Sequence, residues 1–131
     1  MNRSIEIHDS VVERVFTIGV DAVIDFSRVY IHQSPGKPGF DAGSGWVQRA
    51  QLRIKEAAIQ GAFSQGNCDL SGGHLKLNGT VLDNEIPIPL DFLGGVELGL
   101  KSHSGVVLVA GNGAELEVFG EPEYVEEFDP T

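Results

Sequence analysis

Residues 74–119 read HLKLNGTVLDNEIPIPLDFLGGVELGLKSHSGVVLVAGNGAELEVF, and this stretch decides the fold class. On an extended chain, side chains two apart point the same way. Val96, Leu98 and Leu100 alternate with Glu97, Gly99 and Lys101, and Leu116 and Val118 alternate with Glu115 and Glu117. His103-Ser104-Gly105 and Gly111-Asn112-Gly113 separate the runs. Short period-two runs broken by such clusters are the pattern of antiparallel strands joined by turns. Two dipeptides compete for an earlier turn. Asn78-Gly79 is a type I′ hairpin signal, whereas Asp83-Asn84 leaves two strands of useful length, 74–82 and 85–92, and is preferred. Pro87 and Pro89 remove two backbone donors, so 85–92 reads as an edge strand.

The rest of the chain extends the pattern. Residues 4–8 and 11–18 read as short strands. Residues 22–32 read as a longer one, with Ile24, Phe26 and Tyr30 on one face, interrupted by Arg28, and Val23, Val29 and Ile31 on the other. A strand apolar on both sides belongs in the middle of a sheet or under cover on both faces. From residue 46 onward, Trp46, Ala50, Leu52 and Ile54 face one way and Val47, Arg49, Gln51, Arg53 and Lys55 the other. A helix over 48–62 competes, because those residues include good helix formers, but the alternation is cleaner than a 3.6-residue stripe. Near the end, residues 121–128 predict one or two helical turns. Pro122 suits a first helical position, and Tyr124 and Phe128, four apart, would share a face.

The expected architecture is therefore all-β: a single antiparallel β-sandwich, jelly-roll-like, spanning residues 1–131, with a short C-terminal helical turn. Its eight or so strands, about eight or nine in all, follow the spacing typical of such folds. A closed β-barrel is the alternative. A chain of 131 residues is one domain's worth and long enough to bury a core without a disulfide or metal staple.

Charge excludes some functions. Lys and Arg number 9 and Asp and Glu 19, for a formal net charge of −10. A phosphate-backbone binder needs a basic face, so nucleic acid is disfavoured as a partner. An anionic membrane surface is disfavoured for the same reason. The single cysteine, Cys68, has no intramolecular disulfide partner. The first residues are charged and alternating rather than a secretory leader, so the expected location is cytoplasmic.

No motif commits the chain to chemistry. His8, His32, His74 and His103 fit no metal-ligand spacing. Gly43-Ser44-Gly45 is not a nucleophile elbow. His8-Asp9-Ser10 holds the residue types of a triad, but consecutive residues on an extended chain point to alternate sides, and a triad is built by fold geometry. Asn67, Asp69 and Ser71, followed by Gly72, partly match the start of a calcium loop. The twelfth position is Asn78 rather than the bidentate glutamate, so a polar turn is the simpler reading. Arg49, Arg53 and Lys55 share a face. An anion site is one reading, and cross-strand pairing with acids is the preferred one. Glu115, Glu117, Glu121, Glu123, Glu126, Glu127 and Asp129 put seven acids near the end, most simply as a solubilising surface.

Two functions remain. The first is a soluble, non-enzymatic all-β binding or interaction module without cofactor, for which a homodimer is one partner the open edges allow. The second is a small-molecule-binding or catalytic sandwich or barrel with a pocket near the loop from Gln33 to Gly45. His32 and Asp41 would be its polar groups, Lys37 its cation, and Phe40 and Trp46 its apolar walls. A simpler reading of Trp46 is a core residue at a strand start.

Overall fold

The computed structural model describes residues 1–64 and 66–130. Ten strands follow in order: β1 (Asn2–Ile18), β2 (Asp21–Ser34), β3 (Gly43–Ile54), β4 (Ala58–Gly61), β5 (Cys68–Asp69), β6 (Gly72–Leu77), β7 (Thr80–Asp83), β8 (Glu85–Ile88), β9 (Asp91–Ser102) and β10 (Gly105–Phe128). They form one antiparallel sheet in the order β5-β1-β2-β3-β10-β9-β6-β7, with β4 on β10 and β8 on β1. The all-β expectation holds. No helix among the described residues is long and apolar enough to cross a membrane.

The sheet curls on itself. β7 pairs with β6 near one end of the strand order, and β8, a single residue further along the chain, pairs with β1 near the other. Asn84 is the joint. Its amide donates to the Gly73 carbonyl at 2.9 Å, and its carbonyl accepts from the Ile7 amide at 3.1 Å. The curl brings apolar faces together, as in a sandwich or barrel. Ile5, Ile7, Ile24, Phe26, Ile31, Leu52, Ile54, Leu75, Ile86, Leu98 and Leu100 are fully buried in the common core.

The hairpin turn falls at Asn78-Gly79, not at the preferred Asp83-Asn84. Leu77 pairs with Thr80, and both turn residues have left-handed backbones, φ 47° and 85°. That is the geometry Asn-Gly supplies most cheaply. At Asn84 the chain keeps going and exchanges one partner strand for another.

The C-terminal helical turns are absent. Residues 121–128 lie within β10, where Glu123, Tyr124 and Glu126 to Phe128 pair with Gly43 to Val47 of β3. So short a helix is marginal on its own, and a free strand edge offers these backbone groups a full ladder. The helix considered over 48–62 is absent too. That segment is β3 and β4, which run one after the other along the same edge of β10.

One register slip reassigns a face. The β2–β3 ladder shifts between Phe26 and Val29, so Ile24 and Phe26 join Val29 and Ile31 in the core. Tyr30, expected beside Ile24 and Phe26, instead faces away from the core together with His32. An extra residue reverses the parity of everything beyond it. On β3 the reading holds: Ala50, Leu52 and Ile54 are core, and Trp46 packs against it. The basic face opposite is matched by acids. Arg53 meets Asp21 at 2.8 Å, Arg49 meets Glu13 at 3.2 Å and Lys55 meets Glu115 at 3.2 Å.

Candidate functional site

A concentration of interacting polar groups lies on the face of β1 and β2 turned away from the core. Glu6 and Tyr30 are cross-strand partners, as are Ser4 and His32. His32 Nε2 sits 2.7 Å from Glu6 Oε2; facing a carboxylate, that nitrogen donates. The Tyr30 hydroxyl donates to Glu126 Oε1 at 2.6 Å, from the far end of β10. Tyr30 and Phe128 each set a ring edge-on to the His32 imidazole, with centroids 5.1 and 5.3 Å away. Tyr30 is 7% exposed and the His32 side chain 12%.

An irregularity in β1 shapes the neighbourhood. The β1–β2 register jumps from Glu6 opposite Tyr30 to Val11 opposite Arg28, so residues 7–10 loop out of the ladder. Ser10, fully buried, closes the gap: its hydroxyl donates to the Glu6 carbonyl at 2.7 Å and accepts from the Tyr30 amide at 3.1 Å. Asp9 takes a left-handed backbone, φ 76°. In a regular strand Glu6 and His8 share a face and Asp9 opposes them. Here all three converge, with His8 Nδ1 3.3 Å from Asp9 Oδ1 and 3.9 Å from Glu6 Oε1.

An open hollow of about 710 Å³ adjoins this cluster. His8 and Asp9, Arg28 and Tyr30, Asp69 to Ser71, Ser102 and His103, and Val125 and Glu126 border it. Its carboxylates, Asp9, Asp69 and Glu126, outnumber its one permanent cation, Arg28. A second hollow of about 190 Å³ sits beside the 33–45 loop, bordered by Glu6, His32, Gly39, Phe40 and Asn84 among others. That is below the ~300–1,000 Å³ usual for small-molecule sites.

The sequence-derived candidates are thus divided. His32 and Phe40 border the smaller hollow. Asp41 turns back on its own loop, accepting from the Lys37 amide at 2.6 Å, and the Lys37 ammonium lies 4.1 Å above the Phe40 ring. Trp46 stands on the other side of the sheet, edge-on to Tyr124 at 5.3 Å, its indole donating to Ser44 Oγ at 2.8 Å. Of the segment holding Asn67, Asp69 and Ser71, Asn67 takes a left-handed backbone, φ 51°, and the chain then extends, Asp69 pairing with Val11 and the Leu70 amide bonding the Ser10 carbonyl. A calcium loop coils round its ion instead. Asp69 and Ser71 border the large hollow.

From the sequence Glu6 carries no reading, Tyr30 reads only as sharing a strand face with Ile24 and Phe26, and Glu126 only as one of a run of acids. For Glu6 a signal was present, since it shares strand parity with His8. For Glu126 there was none, because its partner lies 96 residues away.

The protonation behaviour follows from these contacts. The His32 hydrogen bond holds the Glu6 carboxyl below its ordinary 4.5, and this outweighs the opposing effect of burial. Burial, and then the bond to Glu126, push the Tyr30 phenol upward, so it stays protonated and donates. A carboxyl depressed in the folded state adds stability above its unfolded pKa and loses it as pH falls through the folded value. Glu6→Gln is therefore expected to cost about 1–2 kcal/mol at pH 7, the scale of a charge-assisted hydrogen bond. The gap from wild type should narrow below pH 4.5, the ordinary glutamate value. Urea melts from pH 7 to pH 3 check this, and a gap that stays constant with pH contradicts it.

Comparison with protein-family models, curated proteins and solved structures finds no match to this chain.

Proposed function

We propose that the chain is a ligand-binding module rather than an enzyme, and that its ligand carries positive charge and occupies the hollow between the β1 irregularity, the 69–71 segment and the end of β10. One observation carries the reading: Glu6–His32 and Tyr30–Glu126 are ionisable pairs set into a strand face beside that hollow. Burying ionisable groups costs free energy unless each is paired, and replacing such pairs with apolar residues often stabilises a fold. Clusters of this kind concentrate at functional sites. The mutual saturation of these groups favours binding over catalysis. His32 is committed to Glu6, and Tyr30 is a protonated donor to Glu126, so neither is poised as a general base. The excess of carboxylates around the hollow selects a cationic ligand.

The same reading places the module in the cytoplasm, where the buried thiol of Cys68 stays reduced. A jelly-roll assignment belongs to it as well, as the finer description of the sandwich-like curl.

Titration with spermidine, followed by amide NMR shifts, tests the proposal. The shifts are expected to cluster at His8, Asp9, Asp69 to Ser71, His103 and Glu126, and the double variant Asp69→Asn/Glu126→Gln should weaken them. Shifts spread evenly over the acidic surface, including Glu115 and Glu117 on β10, would overturn it.

A further inference from the structure

On the rim of the hollow, we propose that Glu6, His8 and Asp9 form a site for a divalent first-row transition-metal ion, with His32 positioning the Glu6 carboxylate. The proposal rests on the reading of the hollow as the binding site and adds a specific ion to it. Each of the three residues offers one ligand atom, and these atoms lie within 4.8 Å of one another. The two separations from His8 Nδ1, 3.3 and 3.9 Å, compare with the roughly 3.4 Å between ligands around a tetrahedral ion bonded at about 2.0–2.2 Å.

Three observations separate this arrangement from a chance meeting of exposed charges. The set includes an imidazole nitrogen, which suits zinc, cobalt or nickel better than the all-oxygen shells of calcium and magnesium. Glu6 is aimed: one carboxylate oxygen is held by His32, itself fixed between the Tyr30 and Phe128 rings, which leaves Oε1 turned toward His8. Such supporting hydrogen bonds orient metal ligands and tune their affinity. Finally, His8 and Asp9 border the hollow, so space for water or a ligand donor lies beside the three protein atoms.

The electrostatics agree. Two carboxylates and one neutral imidazole would carry a net charge of −2, equal and opposite to the +2 of the ion, and the wider hollow adds Asp69 and Glu126. The nearest permanent cation bordering it is Arg28.

Calorimetric titration of the intact chain with zinc chloride tests the site, with cobalt chloride as a spectroscopic probe. One ion per chain is expected to bind saturably in the micromolar range. His8→Ala should abolish that binding. This variant should still fold, since the His8 side chain is 51% exposed. His32→Gln should weaken binding by about 10–100-fold, as loss of a ligand's supporting hydrogen bond does. His74→Ala, away from the hollow and paired with Glu97, should leave it unchanged. Absence of saturable zinc uptake, or uptake that survives His8→Ala (an adventitious ion only), overturns the site. Spermidine shifts recorded on the same samples keep the two readings apart. Lost zinc binding with intact spermidine shifts overturns the metal site alone. Intact zinc binding with diffuse spermidine shifts overturns the organic-cation reading alone.

Discussion

Phe26→Ala is expected to lower the unfolding free energy by about 3–5 kcal/mol, the usual cost of removing a fully buried aromatic. Phe26 is 1% exposed and among the largest fully buried side chains. It sits on β2 between Val12 of β1 and Ala50 of β3 as cross-strand partners. Curvature leaves the neighbouring strands little freedom to collapse into the space, because each is tied on both sides by ladder hydrogen bonds. The loss is a large share of the roughly 5–15 kcal/mol that stabilises an ordinary domain. Thermal and urea denaturation should show a much lower midpoint with the cooperative transition retained. Phe26→Leu, which preserves most of the volume, should recover the greater part. A Phe26→Ala loss below about 1 kcal/mol, the level of a typical surface change, would mean that the core is not organised around this side chain.

The second large effect is expected at Gly45. A Cβ on this residue would overlap the Tyr30 hydroxyl and come within 2.6 Å of Tyr30 Cζ. Tyr30 has little room to yield, being buried and tied to Glu126. Gly45→Val should therefore cost about 1–3 kcal/mol through overpacking. It should also detach Tyr30 from Glu126 and reshape the hollow. Tyr30→Ala in the Gly45→Val background should cost clearly less than the sum of the two single changes, since side chains in contact are not additive. Additive losses would show that the overlap with Tyr30 is not the cause. Gly45 thus ties packing to the proposed function: without a side chain there, the Tyr30 ring lies across β3 and reaches β10.

Much of the fold was legible because strand alternation is a local property. Val96, Leu98 and Leu100 announce a buried face, as do Ala50, Leu52 and Ile54, and both occupy the core. The cross-strand acids expected opposite Arg49 and Arg53 are present as Glu13 and Asp21. Around the site, legibility falls off. His32 and Phe40 were singled out as neighbours of one loop and do border a common small hollow. Trp46 was grouped with them but, on the adjacent strand β3 opposite Ile31, faces the other side of the sheet from His32. Glu6 was passed over because a glutamate on an alternating strand ordinarily faces water. The Glu6–His8–Asp9 convergence was hidden because it needs a left-handed residue at Asp9, which no period-two reading supplies.

The amino-acid pattern alone determined that this chain is built of antiparallel strands, where most of its inward faces lie, and that its surface is acidic. Those properties arise from neighbouring residues: side-chain parity, turn chemistry and summed charge. Only the tertiary structure decided which strand edges meet, where extra residues reverse the facing, and which polar groups are pressed together. The end of β10 extends along β3 instead of coiling, and Glu126 reaches Tyr30, because the free energy of a ladder depends on a distant partner being in place. A single slip in register, as between Phe26 and Val29, moves every side chain beyond it to the other face.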